Sequence, residues 1–408
     1  MDTEVLVYVD IGGISYLTGR LWMRERKNRQ SATFEYDQTW LEYKDRFSLE
    51  PALKLGPGPY HTGGDKPLFG AIGDSAPDRW GRMLMRRAER RRCERAGETP
   101  RTLMEIDYLL MVNDEARQGA LRFATTEGGA FHAAHEAVPI PPLIDLPRLV
   151  AAADHLADGS DSDEDLRLLL APGSSLGGAR PKASVRDRDG VLAIAKFSRR
   201  DDEFDTVRWE AVALTLAANA GLAVPEWRLE NVADKPVLLL RRFDRADNKR
   251  IPFLSAMSML GAIDNEARSY LEFVDALRQY GASPKEDMHA LWRRIVFSIL
   301  ISNTDDHLRN HGFLYEGSEG WRLAPAYDLN PVPIDIKPRI LTTAIDLDDA
   351  TASVDLAMSV AEYFELTADN ARSIVAEVEN AVADWREISA RMGLSAGEIA
   401  RMASAFEH

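Results

Sequence analysis

The chain has 408 residues, of which 45% are hydrophobic, and this composition predicts a folded protein with two or three packed units. Its formal net charge of −15 opposes independent binding to a phosphate backbone, so we do not expect direct recognition of nucleic acid. The one cysteine, Cys93, excludes a disulfide framework and a thiolate metal cluster. The amino terminus lacks a signal-like pattern and no apolar run approaches about 20 residues, so we expect a cytoplasmic protein.

The first part of the chain alternates short apolar stretches with Gly and Pro turns. Residues 5–9 and 32–36 have the composition of strands, and residues 55–59 (LGPGP) form a clear break. Residues 77–96 then follow a helical pattern, with a proline near the first turn and Gly97 as the stop signal. This order predicts a small β-rich unit followed by a helix.

Two charged stretches stand out in this part of the chain. The predicted helix carries a cluster of arginines: Arg79, Arg82, Arg86, Arg87, Arg90, Arg91, Arg92 and Arg95. Such a cluster usually forms a solvated helix face, and the alternative is a contact patch for an acidic partner or for DNA held mainly by another protein. Residues 158–165 (DGSDSDED) are acidic and predict a solvated loop that caps the following helix.

The remaining elements fall into a mixed region and a helical region. Residues 183–185, 191–197 and 237–240 have strand composition and enclose a helix, which predicts a small nucleotide-binding lobe. Beyond about residue 255 the pattern is mainly helical, including an amphipathic stretch at 371–392.

The chemistry concentrates in residues 303–310 (NTDDHLRN) and 326–331 (AYDLNP), which follow an apolar, helix-like run. In kinases one Asp accepts the proton of the attacking hydroxyl, an Asn five positions later helps hold Mg²⁺, and a later Asp binds the metal. Asp305, Asn310 and Asp328 have that order and spacing. Asp306 competes with Asp305 for the role of base, and we favour Asp305 because it lies five positions before Asn310.

Two further motifs support a phosphoryl-transfer site. Lys196 lies in an otherwise apolar strand, where an ammonium needs a partner or a ligand, and Glu210 follows near the start of a predicted helix. A small-residue loop that contains Gly177 and Gly178 precedes that strand, and its backbone N–H groups can form an anion cradle. It is not a Walker A loop, because Lys182 is preceded by Pro and followed by Ala.

Taken together, these motifs resemble those of the HipA-type serine/threonine kinases, the toxins of bacterial toxin–antitoxin modules. The resemblance rests on residues 175–182 (SLGGARPK), 242–245 (RFDR), 304–310 (TDDHLRN) and 328–331 (DLNP). Upstream, residues 73–81 (GDSAPDRWG) and 118–123 (QGALRF) resemble the family's amino-terminal domain. The resemblance spans most of residues 5–335.

The resemblance implies a set of site residues and roles. Asp305, Asn310 and Lys196 would be catalytic, Asn310 and Asp328 would hold Mg²⁺, and His307 would support the loop by hydrogen bonds from its imidazole. The residues implied to contact ATP are Ser175, Gly177, Gly178, Lys182, Lys196, Glu210, Arg241, Phe243 and Asp244, with main-chain groups of 241–243 at the adenine and Asp244 at the ribose. Autophosphorylation is implied at Ser175, or at the adjacent Ser174.

The fold expected from this resemblance is α+β, a two-lobed protein-kinase-like fold with an amino-terminal β-rich subdomain and a mainly helical carboxy-terminal lobe. The subdomain would cover residues 1–150 and the kinase domain residues 151–408, divided into a small lobe at about 165–250 and a helical lobe at about 251–408. The implied partners are a small helix-turn-helix antitoxin, operator DNA through the antitoxin complex, and a protein substrate in translation such as an aminoacyl-tRNA synthetase.

Three other functions remain as alternatives. A small-molecule kinase of the aminoglycoside type shares the Asp-x4-Asn arrangement, since fold alone does not fix the acceptor. A catalytically silent co-repressor would keep the fold without the reaction. A zinc hydrolase is suggested by His307 and His311, which lie four residues apart, but the Glu that zinc peptidases place after the first His is lacking.

Overall fold

The computed structural model describes residues 3–26, 29–63, 66–133, 139–170, 178, 180–199 and 201–408. It contains two compact units: unit 1 comprises Met1–Arg200 and Glu230–Leu254, and unit 2 comprises Asp201–Leu229 and Ser255–His408. The boundary expected at residue 150 therefore lies inside unit 1. Residues on both sides of it share one hydrophobic core, which includes Trp80, Leu149 and Ala195.

Unit 1 begins with an antiparallel sheet of five strands in the order β4-β3-β2-β1-β5. The strands are β1 (Thr3–Ile11), β2 (Ile14–Arg26), β3 (Arg29–Tyr36), β4 (Pro59–His61) and β5 (Leu121–Ala124). A tight turn joins β1 to β2 through Gly12 and Gly13, the kind of residue that such hairpin turns require. The strands predicted at 5–9 and 32–36 are confirmed.

The helices of unit 1 are α1 (Gln38–Glu42), α2 (Gly70–Asp74), α3 (Arg79–Ala96), α4 (Glu105–Met111), α5 (Leu146–Asp158) and α6 (Asp163–Leu170). The helix predicted at 77–96 is confirmed as α3. Its first turn is capped by Asp78, whose Oδ1 accepts a hydrogen bond from Gly81 N at 2.8 Å, and its end is closed by Gly97 at φ 65°.

Three arginines of α3, Arg87, Arg91 and Arg95, pair with the acidic stretch that follows α5. Both carboxylate oxygens of Asp161 lie within ion-pair distance of arginines, Oδ1 at 2.5 Å from Arg87 and Oδ2 at 2.8 Å from Arg91. Arg95 pairs with Asp163 at 2.9 Å. The side chain of Asp161 is fully buried, so the prediction of a solvated loop is wrong at this residue. Two oppositely charged runs that looked independent in the sequence neutralise each other.

A second sheet of unit 1 has the strand order β6-β7-β9-β8. Its strands are β6 (Lys182–Arg186), β7 (Leu192–Phe197), β8 (Trp227–Val232), of which Glu230–Val232 belong to unit 1, and β9 (Lys235–Arg241). Alternate residues such as Ala183, Ala195 and Leu239 face the core formed with α5 and α6. The three predicted strands are confirmed. Short strands β10 (Arg245–Ala246), β11 (Lys249–Arg250) and β12 (Phe253–Ser255) follow.

Unit 2 is mainly helical, as predicted. Its helices are α7 (Thr206–Asn219), α8 (Ala256–Met259), α9 (Tyr270–Tyr280), α10 (Pro284–Leu300), α11 (Val354–Ser359), α12 (Ala368–Ala383), α13 (Trp385–Arg391) and α14 (Ala396–Phe406). Strands β13 (Gly312–Tyr315) and β14 (Trp321–Leu323) form an antiparallel pair. The amphipathic stretch 371–392 is two helices, because α12 ends before Asp384. Within the described residues, no helix combines the length and apolarity that a membrane span requires.

Candidate active site

The loop that carries the Asp305 motif begins at a sharp change of chain direction after α10. Helix α10 ends at Leu300, and Ser302 then adopts φ 50°, a left-handed conformation that is uncommon for residues other than glycine. Two backbone hydrogen bonds fix the turn, from Ser302 N to Ile299 O at 3.2 Å and from Asn303 N to Ser298 O at 2.8 Å. Such conformations persist where the surroundings enforce them, and they are common at active sites.

The two adjacent carboxylates of the motif have opposite environments. The side chain of Asp305 is 63% exposed, whereas Asp306 is 1% exposed. The hydroxyl of Tyr270 donates to Asp306 Oδ2, and Thr342 N donates to Asp306 Oδ1 at 2.7 Å. Burial raises the pKa of Asp306 to about 6 despite these hydrogen bonds. Asp305 is therefore the carboxylate that a substrate can reach, and Asp306 holds the loop to its surroundings.

Asn310 is positioned by the loop itself. Its Nδ2 donates to the carbonyl of Asp305 at 2.8 Å, so the amide group has a fixed orientation. Its Oδ1 is buried and accepts no hydrogen bond from any residue that the structure describes. A buried oxygen without a donor is costly unless a ligand completes it. An amide oxygen in this position suits Mg²⁺, which prefers oxygen ligands.

The segment that carries Asp328 is held against the same loop. Tyr327 Oη donates to Arg309 O at 2.8 Å, and Asn330 N donates to the Oδ1 of Asn303 at 3.0 Å. These contacts lie on both sides of Asp328, which adopts φ 57°. The structure thus brings the carboxylate segment and the Asn310 loop together within unit 2. An Asp and an Asn oxygen form a donor set that fits Mg²⁺.

The two histidines of the motif do not form a zinc site. Burial lowers the pKa of His311 well below its ordinary value, and its Nε2 lies 3.2 Å from the Tyr270 hydroxyl. No group of three His, Cys, Asp or Glu side chains in the described part of the chain is arranged to hold a metal. The imidazole of His307 makes no hydrogen bond to described residues at Nδ1, so the expected imidazole support is not observed there. His307 supports the loop through its carbonyl, which accepts from Asn310 N at 2.8 Å.

In unit 1, two lysines face each other across neighbouring strands. Lys182 and Lys196 are cross-strand partners in β6 and β7, and they lie on the face opposite to the core. Lys182 is 4% exposed and donates to Asp78 Oδ2 at 2.8 Å and to Gly178 O at 3.0 Å. The expected ATP contact of Lys182 does not fit this geometry, because its ammonium is buried and ion-paired. Lys196 is half-buried and remains the better candidate for a phosphate contact.

The segment expected to act as a hinge contains a buried carboxylate, Asp244, that accepts several hydrogen bonds from the protein. Asp244 is 1% exposed and accepts from Gly119 N at 2.7 Å, Arg242 Nε at 2.8 Å and Arg245 Nη1 at 2.7 Å. Burial alone would raise the pKa of Asp244, but the charges of Arg242 and Arg245 outweigh it and hold the pKa below its usual range. The expected role of Asp244 at the ribose does not fit this geometry, because the carboxylate is buried and both of its oxygens already accept hydrogen bonds from the protein.

The other predicted residues are placed as follows. Arg241 is exposed at the end of β9, and Phe243 packs 6.3 Å from the ring of Phe253. Glu210 is 3% exposed on α7 in unit 2. Ser174, Ser175 and Gly177 lie outside the described residues, whereas the carbonyl of Gly178 accepts from Lys182.

Sequence reasoning missed the residues that hold the loop from a distance. Tyr270 is separated from Asp306 by 36 positions, and Thr342 and Lys337 follow the loop in a proline-containing segment. Lys337 Nζ donates to Thr304 O at 2.9 Å and lies 3.7 Å from Asp305 Oδ1. No local pattern marks these residues, because their partners become neighbours only in the folded chain.

Comparisons with known proteins identify one family model and two relatives that this chain resembles. Residues 174–385 match the family model of the HipA-like C-terminal domain. A protein named putative kinase Y4mE from Sinorhizobium fredii (strain NBRC 101917 / NGR234) is 25% identical over 325 residues, which are 72% of this chain and 71% of the relative. A putative kinase of Haemophilus influenzae (strain ATCC 51907 / DSM 11121 / KW20 / Rd) is 26% identical over 152 residues, which are 33% of this chain and 43% of the relative.

A solved structure shares the fold over almost the whole chain. HipA from the Shewanella oneidensis MR-1 toxin–antitoxin complex with HipB and operator DNA superposes with a TM-score of 0.67 at 16% identity. The match covers 98% of this chain and 94% of that one. At this identity the likeness shows the fold alone, and it confirms the predicted α+β fold of the kinase-like type.

Proposed function

Because the chain belongs to the HipA-like C-terminal domain family, we propose that it is an ATP-dependent serine/threonine protein kinase. The observation that carries the proposal is the arrangement of an exposed Asp305 with a buried Asn310 whose Oδ1 lacks a hydrogen-bond donor among the described residues. The two curated relatives named as putative kinases support the same reaction class.

Asp305 has the position of a catalytic base. Its carboxylate would accept the proton of a protein hydroxyl as the hydroxyl oxygen forms a bond to the γ-phosphorus. The bond from that phosphorus to the bridging oxygen breaks, and its electron pair leaves with ADP. Asn310 orients the base, since its amide donates to the Asp305 carbonyl. Positioning of this kind supplies most of the catalysis in phosphoryl transfer.

Asn310 and Asp328 are the residues that would hold Mg²⁺, which supplies positive charge beside the phosphates when bound. Lys196 would pair with phosphate oxygens from its face of the second sheet of unit 1. The backbone around Gly177 and Gly178 would cover the phosphates, and Ser175 or Ser174 would be the site of autophosphorylation.

We also propose a protein partner for the chain. The HipA neighbour was solved with HipB and operator DNA, and this chain would bind a small helix-turn-helix antitoxin in a cytoplasmic setting. The net charge of −15 supports DNA contact through that partner rather than alone. In a mobility-shift assay the chain alone should leave DNA that carries the partner's site unshifted, and should supershift the antitoxin–DNA complex.

The kinase proposal is tested with purified protein, γ-labelled ATP and Mg²⁺, alone and with cell extract. We expect label on serine or threonine of a protein, and loss of that label in Asp305→Asn. Equal labelling by the wild type and Asp305→Asn would contradict the proposal. Label on a small molecule would favour a kinase of the aminoglycoside type, and ATP binding without transfer would favour a silent co-repressor.

A further inference from the structure

The surroundings of Asp305 contain a cation that the proposed mechanism has not used. Lys337 Nζ lies 3.7 Å from Asp305 Oδ1, and its side chain is 40% exposed. Among the described residues, Lys337 is the only cation within ion-pair distance of the Asp305 carboxylate. Arg309, the other cation of the loop, pairs with both oxygens of Asp264 at 3.0 and 3.2 Å. The charge of Arg309 is therefore partly neutralised elsewhere, whereas that of Lys337 lies beside the base.

The position of Lys337 is fixed at both ends of its side chain. Its backbone N donates to Pro333 O at 3.2 Å in a turn, and its Nζ donates to Thr304 O at 2.9 Å. An ammonium has three N–H donors, and Thr304 O is the hydrogen-bond acceptor that the described residues provide. At least one donor is thus left for a ligand at the exposed carboxylate.

We propose that Lys337 is a further catalytic residue, whose ammonium contacts the oxygens of the phosphoryl group during transfer. This inference rests on the proposed kinase function. A hydroxyl bound to Asp305 lies about 3 Å from the carboxylate, and its target phosphorus lies about 3 to 3.5 Å from that oxygen. The Lys337 ammonium is within reach of the oxygens on that phosphorus. It donates hydrogen bonds and stabilises developing negative charge, and it exchanges no proton with the substrate.

A purely structural role for Lys337 makes a different prediction. Thr304 O accepts a second hydrogen bond, from Thr342 Oγ1 at 2.9 Å. Thr342→Val therefore removes one anchor of the loop without removing a charge, and Lys337→Met removes one anchor together with the charge. If Lys337 only holds the loop, the two substitutions should have similar effects. A half-exposed ion pair contributes only about 0 to 1 kcal/mol, so neither substitution should unfold the protein.

The test combines transfer rates with binding of ADP and Mg²⁺ in the presence and absence of aluminium fluoride, which mimics the phosphoryl group in transfer. For Lys337→Met we expect kcat to fall about a hundredfold. The affinity for ADP–aluminium fluoride should fall about tenfold or more while the affinity for ADP alone stays unchanged. Lys337→Arg keeps the positive charge, so its losses of kcat and of affinity for ADP–aluminium fluoride should be smaller than those of Lys337→Met. The control Lys285→Met, at an exposed lysine on α10, should match the wild type.

The outcomes separate this inference from the function it rests on. Equal losses in Lys337→Met and Thr342→Val would make Lys337 a loop anchor and overturn the catalytic role. An unchanged affinity of Lys337→Met for ADP–aluminium fluoride would overturn it as well. In either of these two outcomes, phosphate transfer by the wild-type protein would still support the kinase function. A wild-type protein that neither binds nucleotide nor transfers phosphate would overturn both proposals.

Discussion

The catalytic loop of unit 2 and the Asp244 network of unit 1 use the same residue types in opposite ways. We use the name Asp244 network for Asp244, Arg242, Arg245, Arg250, Arg117 and Asp114. In the loop, Asp305 is exposed and Asn310 Oδ1 accepts no hydrogen bond from described residues. In the network, Asp244 accepts hydrogen bonds from three residues, Gly119, Arg242 and Arg245, and is almost fully buried. Arg245 directly follows Asp244 and Arg309 lies four positions after Asp305, so an arginine nearby in the sequence is compatible with either arrangement.

Burial and donor count distinguish a structural carboxylate from a reactive one. The guanidinium of Arg117 is fully buried and donates to the carbonyls of Ser75, Leu109 and Val112 at 2.9 to 3.0 Å. Burial lowers the pKa of Arg117 to about 9, which shows how strongly this environment opposes charge. Charges in such a place are retained only when they are paired. The Asp305 carboxylate is neither buried nor surrounded by donors in this way, so it remains available to a substrate.

The largest effect should come from Asp305→Asn, which removes the exposed carboxylate and keeps the side-chain shape. We expect phosphoryl transfer to fall about a hundredfold to ten-thousandfold, the range for losing a general base. The melting temperature should stay close to that of the wild type, because the side chain is mostly exposed. Rates at saturating ATP and thermal unfolding measure the two effects.

Asp306→Asn is the matched comparison at the next residue. Its amide can still accept from Thr342 N, so we expect a milder loss of transfer. If Asp306→Asn abolishes transfer and Asp305→Asn does not, the assignment of the base is wrong and exposure is a poor guide to reactivity in this loop.

Asp244→Asn should instead act on stability. Arg242 and Arg245 would lose their buried counterion, and breaking such a pair costs about 3 kcal/mol or more in the free energy of unfolding. Urea denaturation measures the loss. Asp247→Asn is the control, because Asp247 is exposed in the turn between β10 and β11 at φ 48°, a conformation that Asn adopts readily. A fall in ATP affinity without a change in stability would restore the ribose role of Asp244.

The parts of the site that sequence could predict are those set by local spacing. Order and spacing select Asp305, Asn310 and Asp328, and runs of apolar residues predict α10 and the strands β6, β7 and β9. Local pattern also predicted the end of α3 at Gly97. These features depend on neighbours within a few residues, which the sequence displays directly.

The parts that could not be predicted depend on partners far away in the chain. Asp244 accepts a hydrogen bond from the backbone N–H of Gly119, which lies 125 positions earlier. Asp161 is buried and pairs with arginines of α3. Composition assigns a partner to neither carboxylate, so both looked available to solvent or ligand. Tertiary packing decides whether a carboxylate is exposed or is buried and hydrogen-bonded.

The pH dependence of stability should reveal the buried carboxylate of the loop. The folded-state pKa of Asp306 is raised to about 6 from an ordinary value of 3.8. A raised pKa means that the folded state holds the proton more tightly than the unfolded state does. Stability from this group is therefore present below about pH 4 and is lost as the pH rises through 6. The loss between pH 4 and 6 should be about 2 kcal/mol, from 1.36 kcal/mol per pKa unit.

Asp306→Asn provides the reference for that measurement, because an amide does not titrate. The difference in unfolding free energy between the wild type and Asp306→Asn should shrink from pH 4 to pH 6 and stay constant above about pH 7. Glu50 in unit 1 also titrates in this range, since burial raises its pKa to about 7, and it remains in both proteins. A difference that does not change with pH would show that Asp306 is not the buried, raised carboxylate of the loop.

The smallest effect should appear at Gly119, where the chain approaches the Asp244 network. A Cβ at this position would lie 3.1 Å from Phe253 N and 3.2 Å from Phe253 Cβ, at φ 69°. Gly128 has the same φ of 69° and no atom within 4 Å of a built Cβ. Both Ala substitutions carry the cost of a left-handed residue, about 1 to 2 kcal/mol. Gly119→Ala should cost about 1 kcal/mol more, because Phe253 must shift. If the two variants have equal unfolding free energies in urea, Phe253 moves aside at little cost. The Asp244 network would then be less rigid than its hydrogen bonds suggest.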